Sequence, residues 1–165
     1  MKRMVMCIVV AMIAAVASAQ ERAFEEGYSG NVEIQVGTLL DNYLNIGIST
    51  SYGYCTSYGL YAGIGTGIFY SPEHYSFLSV PVFADIKYSF MESAFSPFVS
   101  MRVGTMIDID DLNAGVYCSP AVGFDIGKVS VSFSYGYNSG QTYLSANRAL
   151  VYNRHTLDVG LGFWF

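Results

Sequence analysis

The chain has 165 residues, of which 52% are hydrophobic and only 13% charged, with a net charge of −5. The length points to one domain, and the charged share is about half the usual quarter. No run beyond the N-terminus reaches the ~18 apolar residues of a membrane helix, and no basic patch or nucleic-acid motif is present, which argues against polynucleotide binding.

Met1 to Ala19 reads as a cleavable signal peptide. Lys2 and Arg3 give the positive start, Met4 to Val16 the apolar core, and Ala17-Ser18-Ala19 the cleavage site. Cys7 lies inside that core with no small-residue lipobox before it, which argues against a lipoprotein. Cleavage would remove Lys2 and Arg3 and carry the net charge from −5 to −7. Residues 20–165 then form one domain, opening on the short acidic lead-in Gln20 to Glu26.

From there the sequence alternates with period two. In Tyr28 to Gly37, Val32, Ile34 and Val36 oppose Asn31, Glu33 and Gln35. After a turn at Asp41-Asn42, Tyr43 to Tyr52 sets Leu44, Ile46 and Ile48 against Asn45, Gly47 and Ser49. Gly53 to Ser57 is a short turn, and Tyr58 to Tyr70 alternates apolar residues with glycines. Ser71 to His74 is a loop. Phe77 to Tyr88 follows, with Asp85 and Lys87 on its mixed face, and Met91 to Ala94 turns the chain.

Phe95 to Ile107 carries Arg102 among its polar positions, and Asp108 to Asn113 reads as a solvated acidic loop. Gly115 to Ile126 carries Asp125, and Gly127-Lys128 is a two-residue turn. Val129 to Asn138 alternates without fault, Ser139 to Val151 reads as the longest loop, and Tyr152 to Phe165 returns as the last strand. That strand ends on Phe163-Trp164-Phe165. Termini are normally polar and frayed, so an apolar end suits a strand that closes a barrel in lipid.

Eight strands of about ten residues suit a tilted crossing of a bilayer. In lipid every backbone group pairs internally, which demands closure. The predicted fold is therefore all-β: an eight-stranded antiparallel up-and-down transmembrane barrel. Its even-numbered connections are short and its odd-numbered ones include the acidic and the longest loop, the pattern of periplasmic turns and outer loops. Pro81 and Pro120 fall inside strands, where a missing N–H predicts bulges or strand ends. Cys55 and Cys118 fall on non-adjacent strands, which predicts free thiols.

The signal peptide, the eight alternating segments, Ser79 to Tyr88 (SVPVFADIKY) and the terminal Gly162 to Phe165 carry a resemblance. The chain resembles the small eight-stranded outer-membrane barrels of OmpA/OmpX type, within the broad outer membrane protein beta-barrel domain group. The resemblance implies export to the bacterial outer membrane, contact with outer-membrane lipid, and recognition of Phe163, Trp164 and Phe165 by the barrel-assembly machinery. It implies no cofactor.

Glu33, Asp85, Lys87, Arg102, Asp125, Arg154 and Asp158 lie on mixed faces and would point inward. Eight strands leave an interior just wide enough for side chains, and buried charges must be paired. A structural ion-pair plug of the lumen is therefore expected in preference to a gated ion or proton path. Tyr43, Tyr52, Tyr58, Tyr70, Tyr88, Tyr137 and Tyr152 would form aromatic girdles at the two membrane surfaces. The expected role is envelope integrity or adhesion through the outer loops, with an unspecified loop ligand.

An alternative is a lipid A hydrolase using His74, Ser76 and Glu73 or Glu92, or using His155. A triad is recognised by geometry, however, and not by spacing. A loop cation site at Asp108, Asp110 and Asp111 is a further option, and no metal-ligand His/Cys cluster is present. A soluble lipocalin-like carrier would need a polar exterior, and the charged face is too small to be one.

Overall fold

The computed structural model describes residues 25–165 apart from 40–43, 72–76, 110–112 and 146–147, with side chains also left undescribed at 39, 77 and 140–152. The expected signal peptide, Cys7, Tyr43, the His74 segment, Asp110 and Asp111 lie outside the described residues, as does the side chain of Tyr152.

Eight strands run in chain order: β1 (Gly27–Leu39), β2 (Leu44–Cys55), β3 (Leu60–Ser71), β4 (Phe77–Ser89), β5 (Phe95–Asp108), β6 (Asn113–Ile126), β7 (Val129–Ser145) and β8 (Arg148–Trp164). Each pairs antiparallel with its sequence neighbours, and β8 returns to β1 to close the barrel. Closure leaves no sheet edge along the wall. Pairing from Gly27 runs through Cys55, Tyr61, Lys87, Ser100, Ala121, Ser134 and Asp158, and regains β1 at Gly37, ten residues further on. That stagger is the shear that tilts the strands, typically by about 35–45°.

The alternation sorts the two faces. Val32, Ile34, Ile48, Ile64, Val82, Ile86, Val103, Val122, Phe133 and Val159 are exposed on the outside. Serines, asparagines and charges are buried inside, as Asn31, Glu33, Ser49, Asp85, Ser119, Asp125 and Ser132 show. This is a globular protein's pattern turned inside out, and it makes lipid the natural solvent of the outer face.

Several boundaries differ from the sequence reading. Tyr58 sits in the turn between β2 and β3 rather than on a strand. Gly59 there takes a left-handed φ of 79°, and Thr56 accepts the Gly59 N–H at 3.1 Å. Asp108 is the last residue of β5, buried and facing inward, not the start of a solvated loop.

Ser139 to Val151 is not a loop. β7 and β8 extend through it as a ribbon joined across 146–147. Connections at the end where expectation put the long loops are therefore no longer than the turns at the opposite end: none exceeds five residues at either end. The small and polar residues that read as loop chemistry are held by hairpin pairing from Gly140↔Tyr152 to Ser145↔Arg148, with one register shift between Tyr143 and Ser145. Past Ser139 and Thr156 these strands pair only with each other, so the ribbon stands clear of the wall.

Neither internal proline makes a bulge. Register is the same on both sides of Pro81 and Pro120, but each loses pairing to one neighbour. The β3–β4 ladder lapses between Thr66↔Val82 and Phe69↔Ser79, and the β6–β7 ladder between Cys118↔Tyr137 and Ala121↔Ser134. On its other side each proline stays in register, Pro81 with Met106 and Pro120 with Met101. The absent N–H removes a donor without displacing the chain, and the Thr66 hydroxyl donates to the Pro81 carbonyl at 2.8 Å. Both described cysteines are free.

Candidate functional site: a plugged polar lumen

Inward side chains fill the barrel at four levels. Nearest the termini, Lys87 on β4 meets Asp125 on β6 at 2.7 Å, and Ser89 donates to the same carboxylate at 3.0 Å. Lys87 Nζ also lies 4.2 Å from the Phe98 ring centroid and 4.1 Å from that of Trp164. A desolvated cation between two aromatic faces and a carboxylate is held from three sides. Tyr61 meets Trp164 edge-on at 5.0 Å and completes the layer. Asp125 is 0% exposed.

Mid-barrel, Arg102 on β5 spans the lumen. Its guanidinium pairs with Glu33 on β1 and reaches Asp85 on β4 at 3.4 Å. Ser132 on β7 donates to Glu33 at 2.6 Å. One guanidinium thus ties together the walls at β1, β4 and β5, and its Cζ lies 5.3 Å from the Phe83 ring centroid.

Above this, Phe69, Phe83, Met106 and Tyr117 form an apolar layer inside the lumen. Gly47 and Gly65 lie against the Phe69 and Phe83 rings, where any Cβ would collide. At the far end Arg154 meets Asp108 at 3.6 Å, and Ser79 hydrogen-bonds Asp108. Asp158 accepts from Asn45 at 3.2 Å and from Thr156 at 2.6 Å.

The seven inward charges named from sequence are therefore brought into one lumen, not as a single network: Lys87 pairs with Asp125, Arg102 joins Glu33 and Asp85, Arg154 meets Asp108, and Asp158 is held by neutral donors. Sequence reasoning missed Asp108 as a lumen partner, because three aspartates near a chain reversal read as loop. It also gave no role to Tyr61, Phe69, Phe98 and Met106. Their signal was parity: Tyr61 and Phe69 share a face with Gly63, Gly65 and Gly67, the large-and-small mix of a crowded interior.

Cavities of about 170 Å³ at the terminal end, 20 Å³ mid-barrel and 50 Å³ at the far end divide the free space. The mid-barrel void holds little more than one water.

Of the expected girdle residues, Tyr52, Tyr58, Tyr70 and Tyr88 are exposed on the outside, and Tyr137 is half-buried. Tyr88 packs edge-on against Phe90 at 5.1 Å, and Tyr28 stacks on Tyr52 at 6.2 Å. The described histidine, His155, lies on the outer face with Nδ1 2.5 Å from the Tyr135 hydroxyl and its ring 5.3 Å from that of Tyr137. Its described partners are phenols, not the serine and carboxylate of a triad. At the chain end, Gly30 and Phe165 exchange both backbone hydrogen bonds, at 2.8 and 2.9 Å. Trp164 turns into the lumen while Phe163 and Phe165 face out.

The architecture has solved counterparts. The outer membrane enzyme PagL superimposes with a TM-score of 0.64 over 81% of this chain and 98% of that one, at 15% sequence identity. The chain has the fold of the eight-stranded outer-membrane barrels. A designed transmembrane β-barrel matches at 0.57, over 86% and 98% of the two chains and with 15% identity. The N-terminal barrel domain of Pseudomonas aeruginosa OprF matches at 0.52, over 86% and 100%, with 13% identity. No protein-family model and no curated protein matches the sequence. One of these neighbours is described as an enzyme and another is a design, so the fold alone fixes no activity.

Proposed function

We propose that the chain is exported by its N-terminal signal segment and resides in the bacterial outer membrane as a closed, non-conducting barrel. Its role is structural or surface-interacting. The observation that carries this reading is the lumen: ion pairs and an apolar layer block it at successive levels. The apolar outer face contacts lipid. Phe163, Trp164 and Phe165 offer the terminal strand to the assembly machinery, and the termini lie on the periplasmic side.

With outer connections this short, the surface role falls to the β7–β8 ribbon, the element that extends past the rim. Loops and protruding hairpins carry recognition while the barrel holds them in place.

The first test is gel mobility of the detergent-extracted protein with and without boiling. A shift on boiling, with the protein in the outer-membrane fraction, is expected. Unshifted protein in the soluble fraction would overturn the reading. Replacing residues 140–152 by Asn-Gly is expected to keep that shift, since no pairing outside the ribbon is lost, and to abolish binding of cells to host or neighbouring surfaces. Retained binding would remove the ribbon from the proposal.

A further inference from the structure

A groove and a polar cluster meet on the outer wall of β6, β7 and β8. The β6–β7 ladder lapses beside Pro120, which has no N–H to give. A chiefly apolar groove of about 670 Å³ lies over that lapse, lined by Pro120, Val122, Phe133, Tyr135, Leu157 and Val159. All but Pro120 are large side chains exposed on the outer face, so the groove is open to the bilayer.

The cluster lies next to the groove, on the side away from the termini. Tyr135 belongs to both: it lines the groove, and its hydroxyl lies 2.5 Å from His155 Nδ1. Tyr137 pairs with His155 across the strands and donates to Asn153 Oδ1 at 3.2 Å. His155 is one residue outward of Thr156, the last β8 position paired to β1, so the cluster sits at the rim. From His155, β8 runs through Leu157 and Val159 toward the chain end. The groove therefore leads from the rim toward the middle of the bilayer.

The unused groups of the cluster are donors. The phenol is a stronger acid than a neutral imidazole, so it donates to Nδ1 and leaves the ring hydrogen on Nε2. His155 Nε2 has no partner among the described residues, and neither has the Asn153 amide nitrogen, whose oxygen takes the Tyr137 hydrogen. Such donors at headgroup level suit phosphate oxygens. Tyrosines alone mark any membrane surface. Here a groove on the midplane side gives the cluster the polarity of one outer-leaflet lipid, head at the rim and tail below.

We propose that this wall binds one phosphorylated lipid of the outer leaflet. Its phosphate accepts from His155 Nε2 and Asn153 Nδ2, and one acyl chain lies along Leu157, Phe133 and Pro120. The site rests on the reading of the chain as an outer-membrane barrel. A lipid so held covers the wall where pairing lapses and stands at the base of the ribbon.

The test uses the protein purified from membranes in detergent, stripped of lipid and titrated with dimyristoyl phosphatidic acid, with native mass spectrometry as the readout. One saturable adduct is expected, undisturbed by excess inorganic phosphate. His155→Ala and Asn153→Ala, at the head, and Val159→Trp, which fills the groove, are each expected to weaken it at least fivefold. Tyr88→Ala, on the outer face near the opposite rim, leaves it unchanged. Heat modifiability shows that each variant is folded, and Asn153→Ala carries the head test if His155→Ala is not. A heat-modifiable protein with no saturable adduct overturns the site and leaves the barrel reading standing, because lipid is then only solvent for the wall. Head variants that bind as the parent does overturn it too. Displacement by inorganic phosphate, or full binding by Val159→Trp, overturns it as well, since an anion then binds without its tail. Soluble protein with no mobility shift overturns both the site and the barrel reading.

Discussion

Arg102→Met is expected to cost this barrel about 3–5 kcal/mol of stability, the usual cost of breaking a buried ion pair from one side. The guanidinium is the single cation between Glu33 and Asp85, and all three are buried. Its removal strands two carboxylates in a space with room for little more than one water. Ser132 remains on Glu33 as a neutral donor and cannot replace a charge. Urea unfolding in lipid vesicles, read by the heat-modifiable band, gives the midpoint. The triple variant Glu33→Gln, Asp85→Asn, Arg102→Met is expected to recover most of the loss, because it removes the charges together. A single variant as stable as the parent would mean that the mid-barrel pairs contribute nothing to the fold.

Ile64→Arg is expected to destabilise the membrane-embedded barrel by about 2–4 kcal/mol, the range for a cation facing lipid at the bilayer midplane. Ile64 lies midway along β3, paired with Tyr52 and Ala84, and is 75% exposed on the outer face. In water the same change would be close to neutral, so it separates a lipid-facing wall from a solvated one. Vesicle unfolding of parent and variant measures the difference. Equal midpoints would assign the apolar face to something other than lipid.

The strands were legible because period-two alternation is written locally. A residue's face follows from its parity, so Glu33, Asp85, Lys87, Arg102, Asp125 and Asp158 could be placed inward without knowing any neighbour. Element ends were less legible. Ser139 to Val151 has small and polar residues that suit a loop, and only pairing with its own returning strand makes it a ribbon. Asp108 read as solvent-exposed because its partner Arg154 is 46 positions away in sequence. Pro81 and Pro120 suggested bulges because sequence shows the missing donor, but not that the strand on the other side keeps the register.

Sequence by itself determined the number of strands, their faces and the polar character of the interior, since each depends on the order of residue types along one strand. Tertiary structure alone decided who meets whom. The ten-residue stagger sets which inward side chains share a level: Arg102 meets Glu33 across the lumen, Lys87 finds Asp125, and Asp158 is held by the neutral donors Asn45 and Thr156. Shear is a property of the closed ring of hydrogen bonds, and no single strand carries it.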